Sequence, residues 1–277
     1  MSKHDVLTQA ELDRFEMDPE FLLYLLGVER EIGIDRRSIR VLDWGCGRGR
    51  SVAKLCELGF DAYGVEIDSL PLKNGYELFS NNGWEPERRL ALLDSGCRTP
   101  FEDRFFHFVF SDQVLEHVQA IDDVCRELER ITTPGGIGLH RYPARYTILE
   151  GHLYMPFVHW LPKTRLRYLL ILLSCALGVH PGWEGMRSMG LFQRAGAYYE
   201  YSVLKTYYRS SPRVRRRFES AGFAVEFVAT KSVNLNRRWW FRRLMRVKVA
   251  ERLAAMCLHS FKYVELLTRK ELARTRS

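Results

Sequence analysis

The chain has 277 residues, 46% apolar and 27% charged, so a folded globular protein is expected and wholesale disorder is excluded. Six scattered cysteines form neither a disulfide framework nor zinc-type pairs, and Met1 to Asp5 lack the basic start and apolar stretch of a secretory signal. A cytoplasmic protein with reduced thiols is therefore expected, either free or peripheral at the inner face of a membrane. The net charge of +8 is lopsided: residues 201–277 hold 19 Lys/Arg against 5 Asp/Glu, a local +14, while residues 1–200 sum to −6. Such a basic end suits an anionic partner and says nothing about chemistry.

In chain order, residues 8–32 read as a helix with an apolar face of Phe21, Leu22, Leu25, Leu26 and Val28, stopped by Gly33. A strand over 39–43, a glycine-rich turn and a helix over 51–58 follow. Further strands are predicted over 62–67, 89–93, 105–111 and 137–142, with helices over 70–81 and 114–131 between them. Strands alternating with helices predict a mostly parallel sheet with crossover helices. After Pro143 the regularity fails. The apolar run 168–179 is too short to cross a bilayer of about 30 Å and reads as a buried or interfacial helix. Helix 212–221 and strand 223–229 resume the pattern, and 237–270 reads as one or two basic amphipathic helices. The expected organisation is an N-terminal helical cap (1–36), a main domain (37–143 and 212–233), a substrate-covering insertion (144–211) and a basic helical tail (234–277).

The strongest motif is Val41-Leu42-Asp43-Trp44-Gly45-Cys46-Gly47-Arg48-Gly49, which ends a strand and opens a helix. Glycines there allow a sharp turn and let backbone approach a ligand. The spacing is G-x-G-x-G, with Arg50 where a dinucleotide-binding loop would place its third glycine. An acid two residues before the first glycine suits a cofactor carrying an ammonium group and no pyrophosphate. Glu66 ends the second strand, where a carboxylate can accept both protons of a ribose diol, and Asp94 follows the third. Three acids at successive strand ends would line the carboxyl edge of one sheet.

These residues resemble the class I S-adenosylmethionine-dependent methyltransferases, over about 39–142 and again at 212–230. Val41 to Gly49 is similar to the first motif of that family and Gly64-Val65-Glu66-Ile67 to the second. Leu93-Asp94 with Pro100 to Asp103, Val109 to Val118, and Pro134-Gly135-Gly136 resemble the later ones. One departure is Phe106-His107, where the family has Phe-Asp. The resemblance implies a Rossmann-like α/β fold with a mostly parallel seven-stranded sheet, helices on both faces, and S-adenosylmethionine as cofactor. It implies that Asp43, Gly45, Gly47 and Gly49 contact the amino-acid end of the cofactor and that Glu66 holds the ribose. Ile67 would pack on the adenine, Asp94 would bind its amino group, and Ser111 would line the methionine side.

Methyl transfer is an in-line displacement that needs positioning, and a high-pKa oxygen acceptor also needs a base. His117, His140 and His152 are the candidates, with Tyr142 and Glu150 near them in sequence; each is also readable as a scaffold residue. Glu116-His117 also resembles the helix of ubiquinone-biosynthesis O-methyltransferases, some of which bind a divalent ion there; no metal is expected here, since Gln113 stands where that resemblance implies a further carboxylate. Ser111-Asp112-Gln113-Val114 replaces the Asn/Asp-Pro-Pro-Tyr stretch suited to methylating amino groups of bases or glutamine. Trp239, Trp240, Phe241, Leu244 and Met245 alternate with six Arg or Lys over 237–248, a composition suited to an anionic membrane surface, to single-stranded RNA, or to packing on the sheet. The expected function is methylation of a small-molecule or lipid-linked acceptor at oxygen. The alternatives are an RNA methyltransferase, nucleic acid being the less favoured partner, and a catalytically silent binding protein.

Overall fold

The computed structural model describes residues 6–94, 96–186, 188–228 and 263–271. In chain order the elements are α1 (Gln9–Arg14), α2 (Pro19–Ile32), β1 (Arg40–Trp44), α3 (Arg50–Glu57), β2 (Asp61–Glu66), α4 (Ser69–Asn81), α5 (Pro86–Arg89), β3 (Leu90–Leu92) and β4 (Phe106–Asp112). Then come α6 (Ile121–Ile131), β5 (Thr132–Pro143), α7 (Arg165–Ala176), α8 (Leu191–Leu204), α9 (Ser211–Ala221), β6 (Phe223–Phe227) and β7 (Tyr263–Lys270). The strands form one seven-stranded sheet in the order β3-β2-β1-β4-β5-β7-β6. The first five run parallel, and β7 pairs antiparallel with both β5 and β6. This is the expected Rossmann-like α/β sheet.

Alternation along β1 sends Val41 to one face and Leu42 and Trp44 to the other, so each face builds its own core. One core joins β1 and β4 to α2, α3 and α4 through Phe21, Val52, Phe79, Phe108 and Phe110. The other joins them to α6 and α9 through Val109, Leu128 and Phe218. A third cluster, Leu153, Met155, Val158, Ile171, Cys175, Ala195 and Tyr198, holds the insertion together. There α7 buries Ile171 and Cys175 while Leu166, Leu169, Leu173 and Leu177 stay exposed. Among the described residues no helix is long and apolar enough to cross a membrane.

Three expectations are corrected. The predicted helix over 8–32 is two helices: α1 closes with Phe15 in extended conformation, and α2 restarts on an Asp18 cap with Pro19 in its first turn. The predicted helix over 114–131 begins only at Ile121, leaving 114–120 as an irregular turn whose Gln113 entry has φ 58°. The basic tail is not helical throughout, because 263–270 forms strand β7, with Val264, Leu266, Thr268 and Lys270 buried in alternation. The aromatic-basic stretch 237–248 lies outside the described residues.

Candidate cofactor and acceptor site

β1 delivers the glycine turn to the carboxyl edge of the sheet, with Gly45, Gly47 and Gly49 at φ of 86°, 57° and 76°. The turn is pinned to β2, since Gly45 and Cys46 N–H donate to the Val65 carbonyl at 2.8 and 2.9 Å. A Cβ at Gly45 would stand 2.4 Å from Val114, whereas one at Gly47 would meet nothing within 4 Å. The turn is therefore packed from below and open at Gly47.

Asp43 is buried beside this opening, and burial, helped by the charges of Asp112 and Glu66, holds its carboxyl well above the ordinary carboxylate range. A buried acid among like charges is matched by a cation. Glu66 accepts from the N–H groups of Gly47 (2.9 Å), Ile67 (2.8 Å) and Asp68 (3.3 Å), which fixes its carboxylate against the turn. Ile67 beside it is 71% exposed, an apolar face turned to solvent. The Leu93 N–H donates to the Glu66 carbonyl at 2.8 Å and so ties the end of β3 to that of β2. Asp94 follows, its Oδ1 accepting from Gly96 and Arg98 N–H. The structure thus brings Asp43, Glu66 and the glycine turn together and sets Ile67 and Asp94 along the same edge.

Ser111 and His140 behave differently. Paired across β4 and β5, they are hydrogen-bonded at 2.9 Å and 0% and 1% exposed, with the His140 ring against Phe218. Burial lowers the His140 pKa to about 3, so it is neutral. The structure shuts both side chains inside the sheet, and His140 does not join the other candidate histidines. Tyr142 is likewise buried.

At the same edge Arg141 forms a paired hydrogen bond with Asp112 (2.9 and 2.8 Å), reaches Asp18 at 2.7 Å, and lies over the Phe21 ring. It clamps the start of α2 to the tips of β4 and β5. On the other side Arg48 of the turn contacts Glu11 of α1 at 3.2 Å, and Arg50 lies over Phe15. The N-terminal helices therefore border the turn.

His117 and His152 come together, although 35 residues separate them. His117 sits in the turn after β4 and His152 in the loop after β5, with Nε2 to Nε2 at 3.1 Å. His117 Nδ1 faces the Lys205 carbonyl at 2.6 Å, and His152 Nδ1 faces Glu150 Oε1 at 3.1 Å. Burial alone would raise the Glu150 pKa, but hydrogen bonds from His152 and Tyr208 hold it down at about 2. Glu116 is 2% exposed and neither carboxylate oxygen has a hydrogen-bond partner. Burial pushes its pKa up to about 7. Sequence reasoning did not single out Glu116 as a base; its signal is an acid within the apolar run Val114 to Val118. Tyr208 left no signal at all. Ile148, Leu149, Tyr154 and Phe157, flanking His152 in sequence, are exposed apolar residues on this loop.

Residues 42–139 match the profile of the methyltransferase domain family. A sterol 4-C-methyltransferase of Caenorhabditis elegans is 29% identical over 99 residues, 36% of this chain and 29% of that protein. A sterol 24-C-methyltransferase of Schizosaccharomyces pombe is 26% identical over 123 residues, 42% of this chain and 29% of that protein. The chain thus spans under a third of the length of these two relatives. An S-adenosylmethionine-dependent methyltransferase structure from Mesorhizobium loti superposes with a TM-score of 0.51 over 94% of this chain and 100% of that one, at 13% identity, a likeness of fold.

Proposed function

We propose, from the match of residues 42–139 to the methyltransferase domain family and the site at the sheet edge, that this class I S-adenosylmethionine-dependent methyltransferase methylates a small-molecule or lipid-linked acceptor at oxygen. The observation that carries this reading is the pairing of two features at one sheet edge. One is an open glycine turn beside the buried Asp43; the other is a cluster of proton acceptors, Glu116, His117 and His152, the last carried on a loop with exposed apolar residues.

S-adenosylmethionine, when bound, supplies an electrophilic methyl group on a sulfonium. Asp43 would pair with its ammonium group, the backbone at Gly45 to Gly49 would border its amino-acid end, and Glu66 would accept from the ribose hydroxyls. Ile67 offers an apolar face to the adenine and Asp94 an acceptor to its amino group. Ser111 would act through the wall of the site, since its hydroxyl is held by His140. Glu116 is the strongest candidate base: a carboxylate whose pKa stands near 7 can take a proton at neutral pH, and His152, oriented by Glu150, can relay it. The apolar loop would exclude water from the attacking atom.

Transfer to carbon is the second reading, favoured by the names of the two sterol C-methyltransferase relatives. It requires a base as well, to remove a proton after the new carbon–carbon bond has formed. Incubation with cofactor labelled with carbon-13 at the methyl, in the presence of a lipid extract, separates the readings: the expected product shows a methoxy signal. A C-methyl signal supports the second reading, and no labelled lipid at all refutes both. For the basic stretch 237–248 the proposed partner is an anionic membrane surface. Replacing its arginines with serine is expected to abolish flotation with anionic liposomes, and unchanged flotation removes that partner.

A further inference from the structure

Glu116, His117 and His152 place one ligand atom each within 4.8 Å of one another. The hydrogen bonds around the two imidazoles determine what lies between them. The Lys205 carbonyl can only accept, so His117 Nδ1 carries a hydrogen. Glu150 accepts from the Tyr208 hydroxyl and from the backbone N–H of His152, and likewise takes a hydrogen from His152 Nδ1. In neutral rings both Nε2 atoms then present lone pairs, and they face each other at 3.1 Å. Two lone pairs at that distance repel unless a cation sits between them. Glu116 adds a buried carboxylate with both oxygens unpartnered at the same point.

We propose that Glu116, His117 and His152 hold a divalent transition-metal ion, with Glu150 and the Lys205 carbonyl orienting the two imidazoles. Nitrogens about 2.1 Å from one ion and 3.1 Å from each other subtend roughly 95° at it, an ordinary angle between neighbouring ligands. Trans ligands at about 2.1 Å would be about 4.2 Å apart, so a few tenths of an ångström of movement closes the widest gap. Each ligating histidine has an acceptor on its other nitrogen, the arrangement that fixes tautomer and ring orientation at metal sites. Two imidazoles and one carboxylate favour zinc, manganese, iron(II), cobalt or nickel over magnesium or calcium. Three protein ligands leave coordination positions open. The third ligand arrives from the loop after β5 rather than from the Gln113 position, which is why the local sequence predicts no metal. That the ion binds at all rests on these side chains alone. That its open position would take an acceptor hydroxyl and lower its pKa rests on the proposed function; with the ion bound, this lowering would replace proton abstraction by Glu116 and relay by His152, which are then ligands.

The test is a titration of chelator-stripped full-length protein with Co²⁺, followed by visible d–d absorption and calorimetry. One ion per chain is expected, with affinity lowered at least about tenfold in His152→Gln and Glu116→Gln and about 10–100-fold in Glu150→Gln. Calorimetry with S-adenosylmethionine on the same variants verifies that each is folded. Wild type without d–d bands, or His152→Gln binding Co²⁺ as tightly as wild type, overturns the proposal. So does a histidine NMR signature of one proton shared between the rings with no Co²⁺ uptake. Co²⁺ bound without any heat from S-adenosylmethionine leaves the ion site standing and removes the methyltransferase reading instead.

Discussion

Replacing Gly75 with alanine reverses the usual sign of a helix substitution. Alanine is favoured over glycine inside a helix by about 1 kcal/mol, and Gly75 lies within α4. Its added Cβ, however, would stand 2.1 Å from the Arg48 carbonyl oxygen, more than about 1 Å inside normal contact. The obstacle is backbone in the cofactor turn, so no rotamer change relieves it, and α4 or the turn must move. Overpacking of this kind costs about 1–3 kcal/mol, which cancels or exceeds the propensity gain. Gly27 in α2 is the control, since a Cβ there meets nothing within 4 Å and the full gain of about 1 kcal/mol is expected. At about 2–4 °C per kcal/mol, thermal melts of Gly75→Ala and Gly27→Ala should differ by several degrees, with Gly75→Ala lower. Calorimetry should also show weaker S-adenosylmethionine binding in Gly75→Ala, because Arg48 sits between Gly47 and Gly49. A Gly75→Ala protein as stabilised as Gly27→Ala, with unchanged affinity, would refute this account of how α4 supports the turn.

Asp43→Asn is expected to weaken S-adenosylmethionine about 10–100-fold by calorimetry, the worth of a hydrogen bond to a charged group, without lowering the melting temperature of the free protein. A retained affinity contradicts the pairing of Asp43 with the ammonium group. His140 has an ordinary pKa of 6.5 in the unfolded chain and about 3 in the fold, so the unfolded state binds the extra proton. Its contribution is present above pH 6.5 and is lost as pH falls toward 3, by up to about 1.4 kcal/mol per pH unit. Urea unfolding at pH 7 and pH 5 should therefore show a shallower pH dependence for His140→Asn than for wild type; equal slopes count against a buried neutral ring. Arg141→Met leaves Asp18 and Asp112 unpaired at partly exposed positions and should lower stability by about 1–2 kcal/mol after allowance for solvent screening, read from denaturant midpoints. No change would mean that the clamp on α2 is decorative.

The cofactor half was legible because its logic is local. Asp43, Gly45, Gly47 and Gly49 lie within seven residues, and Glu66 ends the next strand; parallel neighbours must bring those tips together. The acceptor half was only partly legible. His117 and His152 were visible as residue types, but their meeting depends on how the insertion folds back. His140, equally suggestive in sequence, points into the core because strand alternation sends it the other way from Arg141. The tail misled for a different reason. Val264, Leu266 and Leu267 satisfy a helical spacing as readily as alternation, and the surrounding arginines look like the polar face of a helix. Only pairing with β5 and β6 decides the matter, and that pairing is invisible locally.

The position of β7 has a practical consequence. It is threaded between β5 and β6, so both of its backbone edges are occupied, and β6 has no other neighbour among the described strands. Shortening the polypeptide anywhere ahead of Tyr263 would strip an interior rung from the sheet, leaving β5 with a raw edge and β6 adrift, both open to pairing with other molecules. Removal of the arginine-rich stretch by truncation would thus confuse loss of lipid affinity with misassembly. Side-chain replacement within 237–248 keeps the rung in place.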